Sequence, residues 1–400
     1  MRIAFVSARV PYPLNTGGRI RTYHLLKAVA ERHDVTLVTS IETRGDARSL
    51  EKLGDALPAI RMHVSRVRRR GALAPRLRRA VLSPFDPLPF AWAGFRDPRY
   101  MANVAAALRH AEYDLVHCDH VQVAHALPAR GGVPRLIDAH NVENVLVERL
   151  AEHEARRWRR PLMSWQAFKT RRAEQATYAG FDRCVAVSEI DRARIEALAP
   201  GVPVSLVPNG VDVKAFTVSP APVDPNLIVF VGSMDWPPNV QGVTWFVRDV
   251  LPEIRRRRPA ARVLVVGRRP PRALVRALAS THVRFTGTVE DVRPFVEQAG
   301  VVIVPLLSGG GTRLKILEAW AMGKPIVSTS VGAEGLPGVH GINLMLADAP
   351  GGFAGCVTDL IDDEPARGRL AAAGRTLVEE RFAWERVGEL LLAAYAETCR

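Results

Sequence analysis

Residues 301–336 read VVIVPLLSGGGTRLKILEAWAMGKPIVSTSVGAEGL, which sets an aliphatic run, a triple glycine and a cation-bearing helix start in immediate succession. The run 301–305 is short, apolar and β-branched, as a strand buried on both faces of a parallel sheet requires. Gly309, Gly310 and Gly311 then remove every Cβ where the backbone must turn. The spacing predicts a helix over 313–322 with Thr312 placed to cap it. A helix start offers amides without intrahelical partners and the positive end of the dipole, and Arg313 and Lys315 add full charges at that end. Glu318, further along the helix, can accept hydrogen bonds from the vicinal hydroxyls of a ribose. A phosphate site beside a ribose site points to a nucleotide. The same residues also suit a plain packing loop followed by a solvated helix face, since short glycine motifs recur by chance. The segment matches neither the GxxxxGK[ST] loop nor the GxGxxG fingerprint.

The rest of the chain repeats this alternation. Apolar strands are expected at 2–7, 35–39, 115–118, 135–138 and 183–187, then at 227–231, 262–267, 283–286, 301–305 and 325–328. Helical segments lie between them, at 18–32, 240–257 and 292–298 among others, so the expected sheets are parallel and doubly wound. A length of 400 residues exceeds what one core usually organises. Pro208, Asn209, Gly210 and Val211, followed by prolines through Pro225, mark the linker. The expected domains are 1–208 and 209–378. An amphipathic helix over 379–400 either returns to the first domain or packs on the second.

Leu317, Glu318, Ala319, Ala321, Gly323, Pro325, Ile326 and Val327 spell LEA-x-A-x-G-x-P-I-V. In this pattern the chain resembles glycosyltransferase family 4, retaining enzymes of the GT-B fold, and the likeness extends over essentially its whole length. The glycine-rich form is similar to a subgroup associated with bacterial exopolysaccharide assembly. The resemblance implies an α/β, GT-B architecture of two facing Rossmann-like doubly wound domains with a C-terminal crossover helix, in which Phe382 and Trp384 look like the crossover. It implies transfer of a sugar from a nucleoside-diphosphate sugar to a glycan or lipid-linked acceptor with retention. The family's two glutamates, separated by seven residues, fall on Gly310 and Glu318, so the side chain that normally touches the donor sugar is missing.

In the first domain, Gly17 and Gly18 open a helix after the first strand and its loop, a second anion site at a strand's C-terminal end or a plain helix start. Arg19 and Arg21 add charge there. The resemblance brings this loop to both donor phosphate and acceptor. His120, after the strand DLVHC, resembles the family histidine that points at the transferred sugar, and His140 with Asn141 and Glu143 would meet the acceptor. A histidine at a strand end also serves simple structural roles. Gly287 and the backbone through Glu290 would lie near the base, and Glu334 near the donor or the preceding loop. Arg313 and Lys315 stabilise the charge growing on the departing diphosphate. The leaving phosphate would itself accept the acceptor's proton, a step that rests on the resemblance. No Asp-x-Asp occurs, so neither a metal nor another cofactor is expected.

Net charge is +14, with an isoelectric point near 10.3. Residues 1–205 hold 33 Lys and Arg against 21 Asp and Glu, so most of the excess lies in the first half. It concentrates in 61–79 and 156–172. In the second of these, arginines interleave with Trp158, Leu162, Trp165 and Phe168, the pattern of a helix lying in an anionic headgroup layer, although solvated arginine faces share that composition. The four cysteines have no pair spacing for a disulfide framework or a zinc site, and no stretch reaches the roughly 18 apolar residues of a membrane span. The apolar stretch at the N-terminus is too short for a signal-peptide core. A cytoplasmic enzyme, peripheral on the inner membrane face, is the expectation. Two other readings stay open: a nucleotide-sugar 2-epimerase of the same fold, and a non-catalytic binding protein for nucleotide or nucleic acid. No recognised nucleic-acid motif accompanies the charge, so nucleic acid is not the expected partner.

Overall fold

The computed structural model describes residues 1–67, 83, 85–152 and 156–400. The chain divides into two compact units, Met1–Pro208 with Trp384–Arg400, and Asn209–Ala383. Residues 68–79 of the first basic segment lie outside the described residues.

The first unit is built on β1 (Arg2–Ser7), β2 (Asp34–Ile41), β3 (Arg61–Arg66), β4 (Leu115–Asp119), β5 (Arg135–Ala139), β6 (Arg183–Ala186) and β7 (Val204–Leu206). They pair in the order β3-β2-β1-β4-β5-β6-β7, parallel throughout. In β1, Ile3 and Phe5 belong to one core and Ala4 and Val6 to another, because successive side chains leave opposite faces of a strand. Both faces are therefore covered, and this is why the central strands read as unbroken aliphatic runs.

The second unit repeats the scheme with β8 (Asp224–Val231), β9 (Arg262–Val266), β10 (Val283–Gly287), β11 (Ala299–Val304), β12 (Ile326–Ser328) and β13 (Met345–Leu346), ordered β10-β9-β8-β11-β12-β13 and again parallel. The helix expected over 240–257 begins earlier, at Pro237, and carries a π-turn at Phe246–Val250 before continuing through Leu251–Arg257. Pro252 explains the turn, since it lacks an N–H and its ring crowds the carbonyl four residues back.

The C-terminal segment resolves differently from the expected helix over 379–400. Glu364–Arg381 is one continuous helix of the second unit, and a separate helix, Trp384–Thr398, belongs to the first. Phe382 joins a core of the second unit and Trp384 a core of the first. The last helix packs on helix Gly17–Ala30: Trp384 stacks on His24 with ring centroids 4.7 Å apart, and a Cβ on Gly388 would come within 2.6 Å of the Ala28 Cβ. The phenol of Tyr395 reaches Nδ1 of buried His117, 2.8 Å away.

Candidate functional site

In a doubly wound sheet, ligands bind beyond the C-terminal ends of the strands where the strand order reverses. In the second unit that point lies between β8 and β11. The turn at Gly232 ends β8, and the glycine loop after β11 leads into helix Leu314–Ala321. Lys315 Nζ donates to Oδ1 of Asn239, 3.0 Å away, and sits 4.2 Å from the centroid of the Phe230 ring. A Cβ on Gly232 would stand 2.8 Å from that nitrogen and 2.9 Å from Phe230, so the glycine makes room for the cation. Glu318 follows one turn later on the same helix face. Burial lowers the Lys315 pKa to about 7, assisted by Arg313 and opposed by Glu318. Burial likewise raises the Glu318 pKa to about 7, opposed by Lys315. An acid and a base held near neutrality in one crevice make it a candidate functional site.

Arg313 is the N-cap residue of this helix and is itself buried, at 9% exposure. Its guanidinium donates to the carbonyls of Gly310 and Gly311, and a Cβ on Gly309 would meet its Nη2 at 2.7 Å. Gly309 and Gly311 have φ of 139° and 65°, values that favour glycine. Arg313 thus holds the loop's shape from within. The expectation that Thr312 caps the helix is corrected: the cap position falls on Arg313, and the Thr312 hydroxyl accepts from Asn209 Nδ2 at 2.6 Å. A third glycine before the helix moves the turn one residue further along than the cap pattern alone suggests.

The first unit has its own reversal, between β1 and β4, where Asp119 and Asp138 are register partners at the ends of β4 and β5. Both carboxylates are buried. Asp138 receives Arg21 at two points, Nε at 2.9 Å and Nη2 at 2.7 Å, and that arginine also donates to the Pro208 carbonyl. Asp119 accepts from Ser7 and Thr22 and lies 3.1 Å from Nδ1 of His120. His140 Nε2 stands between them, 2.9 Å from Asp119 and 3.3 Å from Asp138. Burial works against charge on Asp119, Asp138 and His140. The opposite charges outweigh it, holding both carboxyls below their usual range and raising His140 to about 9. Two anions thus meet two cations, Arg21 and His140. By distance alone Asp119, His120 and His140 could hold a metal ion.

His120 lies over this cluster. Its ring stacks on that of His140 with centroids 3.5 Å apart, its φ of 78° is unusual for a residue with a side chain, and a Cβ on Gly18 would approach its Nε2 to 3.3 Å. The start of helix Gly17–Ala30 and the two histidines therefore converge. His120 keeps about a third of its side chain accessible while His140 is nearly enclosed.

Two family models match the chain: Glycosyltransferase Family 4 over residues 16–215, and Glycosyl transferases group 1 over residues 225–363. The chain belongs to glycosyltransferase family 4. A Klebsiella pneumoniae protein, described as an uncharacterized 44.6 kDa protein in a cps region, is 23% identical over 358 residues, with 87% of each chain covered. Sucrose-phosphate synthase of Thermosynechococcus elongatus superposes with a TM-score of 0.72 at 18% identity, over 99% of this chain and 98% of its own. HepE of Anabaena, solved in complex with UDP-glucose, gives 0.68 at 14% identity over 99% and 100%. The fold is GT-B.

Within this glycosyltransferase, Lys315 and Glu318 come together as the helix spacing predicts, and Gly18 and His120 come together in the first unit. Asn141 is engaged locally, hydrogen-bonding with Gln122 to the Glu143 carboxyl, whose pKa burial raises. Gly287 ends β10 at φ 72° with open space where a Cβ would stand. Glu334 follows the short helix Ser330–Ala333, whose start is capped by Thr329. Asp119, Asp138, Ser7, Thr22, Asn239 and Gly232 belong to the two crevices but do not stand out in the sequence as site residues. The two aspartates carry a usable signal, since each falls at the C-terminal end of an apolar strand, in HCD and LID. Asn239 has a weaker one, as the first polar residue after the Pro-Pro start of a helix.

Proposed function

We propose that this glycosyltransferase takes a sugar from a nucleoside-diphosphate donor and transfers it, with retention, to a glycan or lipid-linked acceptor in bacterial exopolysaccharide assembly. The observation that carries the reading is Lys315, held by Asn239 at the start of helix Leu314–Ala321 with Glu318 one turn on, at the point where the second sheet reverses its strand order. A diphosphate there receives the ammonium of Lys315, the amides of the glycine loop and the dipole of the helix start. Glu318 accepts from the ribose hydroxyls, and the backbone at Gly287 borders the base. Arg313 serves by fixing the loop. As the bond between the anomeric carbon and the phosphate oxygen breaks, negative charge grows on the leaving diphosphate, and Lys315 with the loop amides stabilises it. The same phosphate oxygen takes the proton of the acceptor hydroxyl, whose oxygen bonds the anomeric carbon on the face just vacated. His120, steadied by Asp119 and His140, is assigned to the transferred sugar. Stabilisation of the diphosphate is given to these groups, with no metal in the scheme.

A donor of this class is supported by the UDP-glucose bound to HepE, and the exopolysaccharide setting by the cps-region relative. A lipid-linked acceptor would bring the enzyme to the cytoplasmic face of a membrane. Among the described residues no helix is long and apolar enough to cross one.

Lys315→Ala and Glu318→Ala are expected to abolish transfer while leaving the circular dichroism spectrum and melting temperature near those of the parent. Normal turnover in both variants would remove the site assignment. A thermal-shift panel of nucleoside diphosphates and their sugars identifies the donor, because a ligand that binds only the folded state raises apparent stability by mass action.

A further inference from the structure

Helix Arg160–Tyr178 of the first unit carries apolar side chains that stand exposed. Trp158, in the turn Arg157–Arg159 that leads into it, is 73% exposed, and Leu162, Trp165 and Phe168 are 49%, 45% and 48% exposed. At 100° per residue the last three span about a third of the helix circumference. Trp165 and Phe168 stack on each other, with centroids 5.5 Å apart. The opposite side is buried, with Ala167, Thr170, Glu174 and Tyr178 turned into the unit, while Lys169, which falls between Leu162 and Trp165 around the helix, is buried against the Ser83 carbonyl. Phe85 adds to the exposed apolar surface at 87%. It lies two residues after Ser83, whose hydroxyl and carbonyl oxygens accept from Gln166 and Lys169 of the helix.

The charge along this helix is mostly of one sign, with Asp86 beside Lys169 as an acidic neighbour. Residues 156–173 contain six arginines and a lysine and no acidic residue. Arg157, Arg171 and Arg172 are exposed, and Arg172 lies over the Phe168 ring. The first carboxylate beyond them, Glu174, is turned inward and accepts from the backbone N–H groups of Glu143 and Asn144. A second copy of the chain is a poor occupant for this face, because a two-fold contact would set the arginines of one copy against those of the other.

From this arrangement we propose that the face formed by Trp158, Leu162, Trp165 and Phe168 is a membrane-docking surface for anionic lipid, with the helix lying along the headgroup layer. Indole and phenyl rings enter the boundary between headgroups and acyl chains, and the flanking arginines meet lipid phosphates. The inference extends the proposed function, since a lipid-linked acceptor must be met at such a surface, but it rests on different residues from the donor site.

The test is co-sedimentation of the full chain with vesicles of phosphatidylcholine alone and of phosphatidylcholine mixed with phosphatidylglycerol. Binding is expected to the mixed vesicles, to weaken with added salt, and to shift the tryptophan emission to the blue. The triple variant Trp158→Ser/Trp165→Ser/Phe168→Ser should lower the partition coefficient by on the order of tenfold or more. Arg171→Glu/Arg172→Glu should lower it comparably and flatten the salt dependence. All these side chains are exposed, so melting temperature should hold and serves as the control. Equal binding to both vesicle types, or binding unchanged in both variants, overturns the proposal. So does self-association by light scattering that the triple variant abolishes, or binding of single-stranded nucleic acid without binding of vesicles. Nucleoside-diphosphate thermal shifts on the same samples separate the two readings. A chain that binds nucleotide and ignores vesicles loses the docking face and keeps glycosyl transfer, and the converse result does the opposite.

Discussion

Lys315 and Glu318 are each placed where water would otherwise favour the charged form, and each is brought near its switching point, about 7, from opposite directions. Holding a diphosphate needs the ammonium, while accepting from two ribose hydroxyls needs the carboxylate. Donor affinity in the proposed reaction should therefore fall below pH 7 as Glu318 gains a proton, and fall above it as Lys315 loses one. A bell-shaped profile of kcat/KM for the donor, centred near neutrality, is the expected measurement. Glu318→Gln should remove the acid limb and leave the alkaline one, and a flat profile between pH 5 and pH 9, roughly the span in which these groups titrate, would contradict the assignment. The spacing of Lys315 and Glu318 was legible in the sequence because a separation of three positions on one helix fixes it. The first-unit cluster was only half legible: His120 and His140 stand out as residue types, but Asp119 and Asp138 meet only because β4 and β5 are neighbours in register. Arg21 reaches Asp138 from a helix more than a hundred residues earlier. Pairing across a sheet is a property of strand order, which local spacing does not carry.

At the scale of elements, the central strands and the edge strand β10 were readable, whereas β3, β7 and β13 were not. β1, β4, β8 and β11 are covered on both faces, so their apolar runs announce them. β3 reads RMHVSR and ends its sheet half-exposed, while β7 and β13 have three and two residues, too few for any pattern. The final helix was readable as amphipathic, but its partner was not. Its apolar residues meet helix Gly17–Ala30 through Gly388, which lies against Ala28 without room for a larger side chain. Gly388→Leu should accordingly destabilise the first unit by about 1–3 kcal/mol through overpacking, even though leucine is the better helix former. Chemical denaturation followed by circular dichroism measures this, and an unchanged or raised midpoint would mean that the helix end is free to shift.

Over the whole molecule the same design appears twice: a parallel sheet with two cores, and a crevice of charged groups where the strand order reverses. The two crevices respond to different variables. In the first unit, His140 is raised to about 9, so its contribution to stability is complete below the ordinary histidine value of 6.5 and is lost as pH rises through 9. His117, buried and lowered to about 4, contributes fully above 6.5 and loses its share as pH falls through 4. Protection of the first unit should therefore peak near pH 6.5. In the second unit, a nucleoside diphosphate should act instead, through Lys315 and the glycine loop. Hydrogen exchange, corrected for the intrinsic pH dependence of amide exchange, can read both responses in one chain. Raising the pH from 6.5 to 9 should loosen β4, β5 and helix Gly17–Ala30, and His140→Asn should abolish that loosening by removing the group that titrates. Adding UDP at pH 6.5 should protect residues 232–239 and 309–318, and the protection should weaken at pH 9, where Lys315 has lost its proton. If alkaline pH loosened both units alike, or UDP protected the β4 and β5 ends in preference to the glycine loop, the separate roles given to the two crevices would not stand.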